Sequence, residues 1–202
     1  MSNQIPTGGL ILASASKVRA RLLEGARVPF TIHPADVNED RIKQAQKGEN
    51  TDTIALRLAE AKARAIAKEH ADKMIIGADQ ILACDGRLFD KPKDRAEAEG
   101  HLRTLRGRTH RLITACAVVH GEDLLWQSCA EARLTMRDFS DAFIGSYLDD
   151  VGDDALASVG AYRLEDMGAQ LFSKIEGDYF TILGLPLLPL LDFLRARGVL
   201  RQ

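Results

Sequence analysis

The sequence contains few cysteines, and their spacing excludes the structures that depend on them. Only three are present among 202 residues, Cys84, Cys116 and Cys129, and no two of them form a CxxC pair. Neither a disulfide framework nor a zinc site is therefore indicated. The five histidines show no HxxxH or HExxH spacing, so any metal would be a hard cation bound by oxygen atoms.

The chain also lacks an excess of charge of either sign. Its 27 Lys and Arg residues against 29 Asp and Glu give a formal net charge of −2. A dedicated nucleic-acid binder usually has a clearly basic domain, so we expect no nucleic-acid partner and favour small-molecule chemistry. With 46% apolar residues, a chain of this length can bury a large core without disulfides.

No apolar stretch is long enough to cross a membrane. The most apolar one, residues 180–191, is interrupted by Thr181, Gly184 and two prolines. The N-terminal MSNQIPTGGLILAS lacks the basic segment, apolar segment and cleavage site of a secretory signal. We therefore expect a cytoplasmic protein with no membrane partner.

The order of predicted elements indicates the fold class. No internal repeat or Pro/Gly/Ser-rich linker divides the chain, so we predict a single domain over residues 1–202. Strands alternate with helices in the first half and a β-hairpin follows, which predicts an α/β fold around a mixed central sheet. The predicted strands are 10–13, 30–33, 74–76, 111–119, 124–136, 161–164 and 169–172, and the predicted helices are 17–24, 51–70, 95–105, 140–148 and 187–197.

Two serines stand where a predicted strand passes into a helix. Ser14 and Ser16 precede Lys17 and Arg19 at this junction. The free backbone N–H groups and the positive dipole end of a helix start suit phosphate binding. Serines are also ordinary helix caps, so both interpretations remain open.

Three further charged residues stand out, each with a simpler explanation. Lys62 has Leu58 and Ile66 four residues away on either side, so its stem follows an apolar stripe, as a snorkelling lysine also would. Asp79 is predicted at the carboxyl end of a buried strand, where open α/β sheets bind ligands, unless it is an ordinary turn residue. Lys91 precedes Pro92 in a predicted loop, where most lysines are simply solvated.

Together these residues supply the groups that a polyphosphate hydrolase needs. Such catalysis depends on positioning and charge neutralisation, with Mg²⁺ bridging phosphate oxygens and a carboxylate orienting water. The sequence has no Walker A motif and no GxGxxG, which weighs against P-loop and Rossmann chemistry.

Six segments in order resemble the Maf family of nucleoside triphosphate pyrophosphatases, from Leu10 to about Leu194. They are LILASAS with Arg19, RLAEAKA at 57–63, IIGADQI at 75–81, DKP at 90–92, LRGRTHRLITA at 105–115, and GAYRLEDMGAQLFSKIEGDYFTILGLPL at 160–187. The resemblance implies an elongated α/β fold, a mixed sheet flanked by helices with a deep cleft, and often a homodimer. It also implies hydrolysis of a nucleoside triphosphate between the α and β phosphates, dependent on Mg²⁺ or another divalent cation such as Mn²⁺.

The resemblance also implies roles for individual residues. The family's phosphate-binding start matches Ser14, Ser16 and Arg19, its lysines match Lys62 and Lys91, its catalytic aspartate matches Asp79, and a family acidic residue matches Glu39. We expect Asp79 to act as general base and Mg²⁺ to lie between Asp79, Glu39 and the phosphates. Lys62, Lys91 and Arg19 would neutralise charge on the triphosphate.

Base preference depends on positions where this chain departs from the commonest family pattern. Val18 replaces an arginine, Gln80 follows Asp79, and Glu165 stands where enzymes for dTTP and UTP carry glutamine. These three residues favour the group of enzymes that prefers 7-methyl-GTP and CTP. Membership of that group implies a role in removing modified or non-standard nucleotides. Residues 177–181, GDYFT, resemble the dTTP and UTP group instead, so that alternative stays open.

Two other functions also remain open. One is a nucleotide-binding regulator of cell division with little turnover, although a pure binder would gain nothing from a carboxylate facing an anionic ligand. The other is a related enzyme that removes deaminated purine triphosphates such as ITP or XTP.

Overall fold

The computed structural model describes residues 9–46 and 48–201. The first eight residues, which form most of the segment considered as a possible secretory signal, lie outside the described residues. The strands are β1 (Leu10–Leu12), β2 (Thr31–Ile32), β3 (Met74–Cys84), β4 (Arg87–Phe89), β5 (Thr109–His120), β6 (Asp123–Met136) and β7 (Phe172–Glu176). The α-helices are α1 (Lys17–Gly25), α2 (Glu39–Ala45), α3 (Thr51–Ala67), α4 (Arg95–Leu105), α5 (Asp141–Val151), α6 (Tyr179–Ile182) and α7 (Leu187–Ala196).

The strands form one mixed sheet. Its order is β2-β1-β3-β5-β6-β7, and β4 also pairs with β3. Strand β1 is parallel to both β2 and β3, whereas β4 is antiparallel to β3 and β7 is antiparallel to β6. The predicted α/β class with a mixed central sheet is therefore confirmed, as is the predicted β-hairpin, whose strands β5 and β6 are neighbours in the sheet.

Two short strands predicted in the last third are wrong. The backbone is left-handed at Gly160 and Ala161, with φ values of 77° and 62°, so no strand begins at Ala161, and a turn starts already at Leu164. Residues Met167–Leu171 form a 3₁₀ helix, because Asp166 accepts from the backbone N–H of Met167 and Ala169. Strand β7 begins only at Phe172.

The chain divides into two compact units. The first contains the described residues up to Asp79, Thr114–Ala130 and the chain from Gly184 onward; the second contains Gln80–Ile113 and Glu131–Leu183. None of the helices among the described residues is long and apolar enough to span a membrane.

In the first unit, helix α3 lies directly against strand β3. A Cβ atom on Gly77 would be 2.0 Å from the carbonyl oxygen of Ala59 and 2.9 Å from the Cβ of Ala63. Only glycine permits this approach, because any side chain would collide with the helix backbone. Beside this contact, Ile11, Ile75 and Ala63 belong to one buried cluster. The close packing brings the side chains of α3 next to those of β3.

In the second unit, a buried histidine pairs with a buried tyrosine. His110 in β5 is fully buried, and its Nε2 lies 2.7 Å from the hydroxyl oxygen of Tyr162. Its Nδ1 has no hydrogen-bond partner among the described residues. Burial lowers the pKa of His110 from 6.5 to about 4, so the ring is neutral in the folded protein near pH 7.

This histidine predicts a loss of stability in weak acid. The unfolded state takes up a proton near pH 6.5 and the folded state only near pH 4, so stability falls as the pH drops through this window. The contribution lost between pH 7.5 and pH 5 is about 2 kcal/mol. Urea unfolding of the wild type and His110→Gln at both pH values measures it.

The variant should show a pH dependence of unfolding smaller by about 2 kcal/mol than that of the wild type. Thr109→Ser, in the same strand and without a titratable side chain, is the matched control and should retain the wild-type pH dependence. If the free energy of unfolding of His110→Gln depended on pH as much as that of the wild type, the assignment of the acid sensitivity to His110 would be contradicted.

Candidate active site

One lysine joins two carboxylates in the first unit. The Nζ of Lys62, on helix α3, lies 2.6 Å from Oδ1 of Asp79 and 2.8 Å from Oε1 of Glu39. The side chains of Lys62 and Asp79 are 13% and 8% exposed, whereas that of Glu39 is 42% exposed. The structure thus brings together three of the predicted residues, and the ammonium of Lys62 is bound to carboxylates, unlike that of a lysine that merely snorkels toward solvent.

Asp79 has an unusual electrostatic environment. Burial raises the pKa of its carboxyl, the charge and hydrogen bond of Lys62 and the charge of Arg19 act in the opposite direction, and Glu39 adds to the rise. A carboxylate that is held close to a cation but is poorly solvated is a stronger proton acceptor than one in water.

The position of Asp79 in its strand differs from the prediction. Asp79 lies inside β3, which continues to Cys84, and is neither at the strand's carboxyl end nor in a turn. The reason is a change of partner along the strand. Residues Met74–Ile76 pair with β1, and residues Leu82–Cys84 pair with the antiparallel strand β4. Asp79 therefore follows the point at which the parallel pairing with β1 ends.

Glu39 is placed by a helix that the sequence reasoning did not include. It is the first residue of α2, and the side chain of Asn38 caps this helix by accepting from the backbone N–H of Arg41 at 2.9 Å. Asn38 followed by Glu39 and Asp40 is an ordinary N-terminal helix signal, with a cap residue and then acidic side chains. This signal was available in the sequence.

The two predicted serines lie at the start of helix α1. Ser16 is the N-cap residue and accepts from the backbone N–H of Arg19 at 3.4 Å, so the capping interpretation is confirmed. Ser14 is buried, and its hydroxyl accepts from the backbone N–H of Ser16 and from Nη1 of Arg19, each at 3.2 Å. A phosphate-binding role for either serine stays a prediction.

Arg19 connects three segments of the first unit. Its Nε donates to the carbonyl oxygen of Gly184 at 2.7 Å, and its Nη1 donates to the carbonyl oxygen of Ala78 at 3.0 Å. Burial lowers the pKa of Arg19, and the negative charges of Asp79 and Glu39 oppose that shift. Arg19 thus fixes the backbone immediately before Asp79, a contact that sequence reasoning missed because it depends on the tertiary fold.

A cavity of about 300 Å³ opens beside the same helix start. Two cations on α1, Lys17 and Arg21, line it together with Ser14 and Ser16. The first unit therefore presents hydroxyl groups and positive charge around the start of α1.

Gln80 and Glu165, predicted to bind the substrate, belong to the second unit. The side-chain Nε2 of Gln80 donates to the carbonyl oxygens of Thr181 and Ile182 at 3.1 and 3.0 Å. Glu165 accepts from Nε of Arg163 at 3.2 Å. Lys91 is also in this unit and is exposed, in the loop between β4 and α4.

The carboxylates of the first unit provide a limited set of metal donors. No group of three or more His, Cys, Asp or Glu side chains suited to a metal occurs among residues 9–46 and 48–201. Glu39 and Asp79 nevertheless converge on a single nitrogen atom. Two carboxylates fit Mg²⁺, which is typically held by one or two carboxylates, substrate phosphates and water.

Comparison with known proteins gives the relatives of this chain. A family model described as Maf-like protein matches residues 9–197. A nucleoside triphosphate pyrophosphatase of Nitrobacter winogradskyi is 51% identical over 191 residues, 95% of each chain. A 7-methyl-GTP pyrophosphatase of Rhizobium etli is 47% identical over 196 residues, 96% of this chain and 98% of that one.

A solved structure shows a more distant likeness. It is the nucleoside-triphosphatase, or dITP/XTP pyrophosphatase, of Mycobacterium abscessus, with 18% identity, a TM-score of 0.39 and coverage of 64% of this chain and 75% of that one. The family model and the two close sequence relatives, by contrast, span nearly the whole chain. This chain therefore belongs to the family of Maf-like proteins.

Proposed function

We propose that this chain hydrolyses a nucleoside triphosphate between its α and β phosphates, releasing the monophosphate and pyrophosphate. The observation that carries the proposal is the contact of Lys62 with both Asp79 and Glu39. It is supported by relatives of about half-identical sequence that are named nucleoside triphosphate pyrophosphatases. An enzyme of this kind is a hydrolase acting on acid anhydrides.

In this proposal Asp79 is the general base. A water oxygen bonds to the α phosphorus, the bond from that phosphorus to the oxygen bridging to the β phosphorus breaks, and pyrophosphate leaves. The proton of the water passes to the carboxylate of Asp79, which burial makes a better acceptor. Lys62, 2.6 Å from Asp79, holds that carboxylate in place and balances negative charge as the triphosphate binds.

The pair Asp79 and Glu39 fits a divalent cation, which we propose to be Mg²⁺ or Mn²⁺. Such a cation would neutralise charge on the phosphate oxygens during the displacement. The side chain of Glu39 is half exposed and is therefore accessible to a hydrated ion. Lys62 contacts both Glu39 and the buried Asp79, so the two carboxylates are held close together. Full activity of the wild type in excess EDTA would remove the cation from the proposal.

Other cations are proposed to neutralise the triphosphate. The Nε and Nη1 of Arg19 donate hydrogen bonds to backbone carbonyls and to Ser14, so its positive charge stays in a fixed position. Ser14 and Ser16 contribute hydroxyl groups at the start of α1, where the helix dipole favours an anion. Lys91, on an exposed loop of the second unit, is the further cation that the family pattern assigns to the phosphates.

Asp79→Asn tests the general base. The amide has nearly the shape of the carboxyl but accepts no proton from water, so we expect kcat for pyrophosphate release to fall by about 10²–10⁴-fold. The assay follows pyrophosphate release at saturating nucleotide and Mg²⁺, with circular dichroism to establish that the variant is folded.

Asp72→Asn is the matched control, because Asp72 is exposed and belongs to the same unit. Its kcat should equal that of the wild type. Undiminished activity in Asp79→Asn would remove Asp79 from the mechanism.

We further propose that the enzyme prefers 7-methyl-GTP or CTP as its substrate. With a specificity of this type it would remove modified or non-standard nucleotides. Two backbone carbonyls fix the amide of Gln80 by accepting from its Nε2. The carboxylate of Glu165 is a hydrogen-bond acceptor and therefore favours a base that offers donors. On the Watson–Crick edge guanine offers two adjacent donors, N1–H and its 2-amino group, and cytosine offers its N4 amino group, whereas thymine and uracil offer only N3–H between two carbonyl acceptors.

The charge of the base supports the same preference. The 7-methylguanine ring is cationic, so the carboxylate of Glu165 attracts it in addition to accepting hydrogen bonds. The relative from Rhizobium etli that is named for 7-methyl-GTP agrees with this choice. A dTTP- and UTP-specific enzyme remains the alternative outcome of the test.

Glu165→Gln tests the base preference. Replacing an acceptor oxygen by an N–H donor should lower kcat/KM for 7-methyl-GTP by about 10- to 100-fold, with dTTP and UTP little affected or improved. A panel of 7-methyl-GTP, CTP, dTTP, UTP and ITP with the wild type and the variant measures the change. A wild type that prefers dTTP or UTP would contradict the proposed specificity but leave the reaction class intact.

A further inference from the structure

An ion pair of unusual burial holds Glu165 in the second unit. The side chains of Arg163 and Glu165 are 14% and 18% exposed, and Nε of Arg163 lies 3.2 Å from Oε1 of Glu165. By comparison, the ion pair between Arg108 and Asp85 in the same unit is 53% and 66% exposed. Surface ion pairs contribute little to stability, whereas breaking a buried pair leaves an uncompensated charge.

Arg163 is itself fixed by a second carboxylate. Its Nη1 donates to Oδ2 of Asp154, which lies in the 3₁₀ helix Gly152–Ala157. The planar guanidinium therefore bridges two acceptors and cannot rotate about one of them without losing the other. Burial by itself would lower the pKa of Arg163, but the hydrogen bond and charge of Glu165 and the charges of Asp154 and Asp166 raise it above the usual value.

The backbone around Arg163 leaves little freedom. A Cβ atom on Gly168 would lie 2.3 Å from the carbonyl oxygen of Arg163, so the following 3₁₀ helix packs directly on this peptide group. The preceding residue, Tyr162, is buried against His110. One residue earlier, the carbonyl oxygen of Ala161 accepts from the hydroxyl of Tyr147 at 3.2 Å. The chain is thus held on both sides of Arg163.

We propose that Arg163 is a positioning residue for base selection, which orients the carboxylate of Glu165. Arg163 donates to Oε1 of Glu165, and in this proposal the other oxygen, Oε2, accepts from the donors of the base. Arg163 does not contact the nucleotide in this assignment and acts only through Glu165. The inference rests on the proposed role of Glu165.

The test is a double-mutant cycle on nucleotide kinetics. Variants R163Q, R163K, E165Q and the double variant R163Q/E165Q are compared with the wild type for pyrophosphate release from 7-methyl-GTP and dTTP. We expect R163Q to raise KM for 7-methyl-GTP by about 10-fold with kcat changed by less than about 3-fold, and to leave KM for dTTP unchanged. R163K, which retains the positive charge, should recover part of the loss.

The cycle separates an action through Glu165 from an independent one. In the E165Q background, R163Q should have no further effect on KM for 7-methyl-GTP, because the carboxylate it positions is gone. Equal losses for 7-methyl-GTP and dTTP, or losses that multiply in the double variant, would overturn the assignment. R108Q, in the exposed pair with Asp85, is the matched control and should leave both KM values unchanged.

Two outcomes distinguish this inference from the proposed function. If E165Q alters base preference and R163Q does not, the positioning role fails and the function stands. If E165Q leaves base preference unchanged while pyrophosphate is still released, the role of Glu165 fails and the positioning role with it. Should R163Q not fold, D154N removes the other carboxylate charge of the bridge and should raise KM for 7-methyl-GTP in the same direction.

Discussion

The contact of Lys62 with Asp79 and Glu39 is the interaction on which the functional interpretation depends. A buried carboxylate and a buried ammonium each lose hydration, and their attraction repays that loss only in good geometry. Here the Nζ to Oδ1 distance of 2.6 Å meets that requirement, and the partly exposed Glu39 adds a second acceptor. Removing one partner of such a pair typically costs about 3–5 kcal/mol of stability. The protein therefore maintains charged groups in a place where an ordinary core would use apolar ones.

The fold of the first unit supports this contact from two directions. Gly77 allows helix α3 to approach strand β3 closely, which brings Lys62 of the helix beside Asp79 of the strand. Arg19 bonds the carbonyl oxygen of Ala78, so the backbone immediately before Asp79 is fixed as well. In the second unit one largely buried ion pair has a similar role, since Arg163 orients Glu165 as Lys62 orients Asp79. In both units a cation holds a carboxylate in one conformation, from a different element in the first unit and from two residues away in the second.

Much of this arrangement could be predicted from the sequence, and the remainder depends on tertiary contacts. Helix α4 was predicted with its observed bounds, and Lys62 was singled out because an apolar stripe contained a cation. Asp79 was assigned to a strand end because periodicity cannot show that β3 exchanges β1 for β4 as its partner. The prediction of a strand at 161–164 is wrong because the left-handed backbone conformation of Ala161 is stabilised by surrounding contacts and not by the residue's own propensity. The bonds of Arg19 to Gly184 and Ala78 join residues far apart in sequence, and no local pattern indicates them.

A double-mutant cycle across Lys62 and Asp79 tests the central claim most directly. Lys62→Met, Asp79→Asn and the double variant are compared with the wild type for kcat of pyrophosphate release, with thermal unfolding measured in parallel. If the two residues act as one charged unit, each single variant loses most of the activity and the double variant is no slower than the slower single variant. Losses that multiply in the double variant, or a fully active Lys62→Met, would contradict the claim.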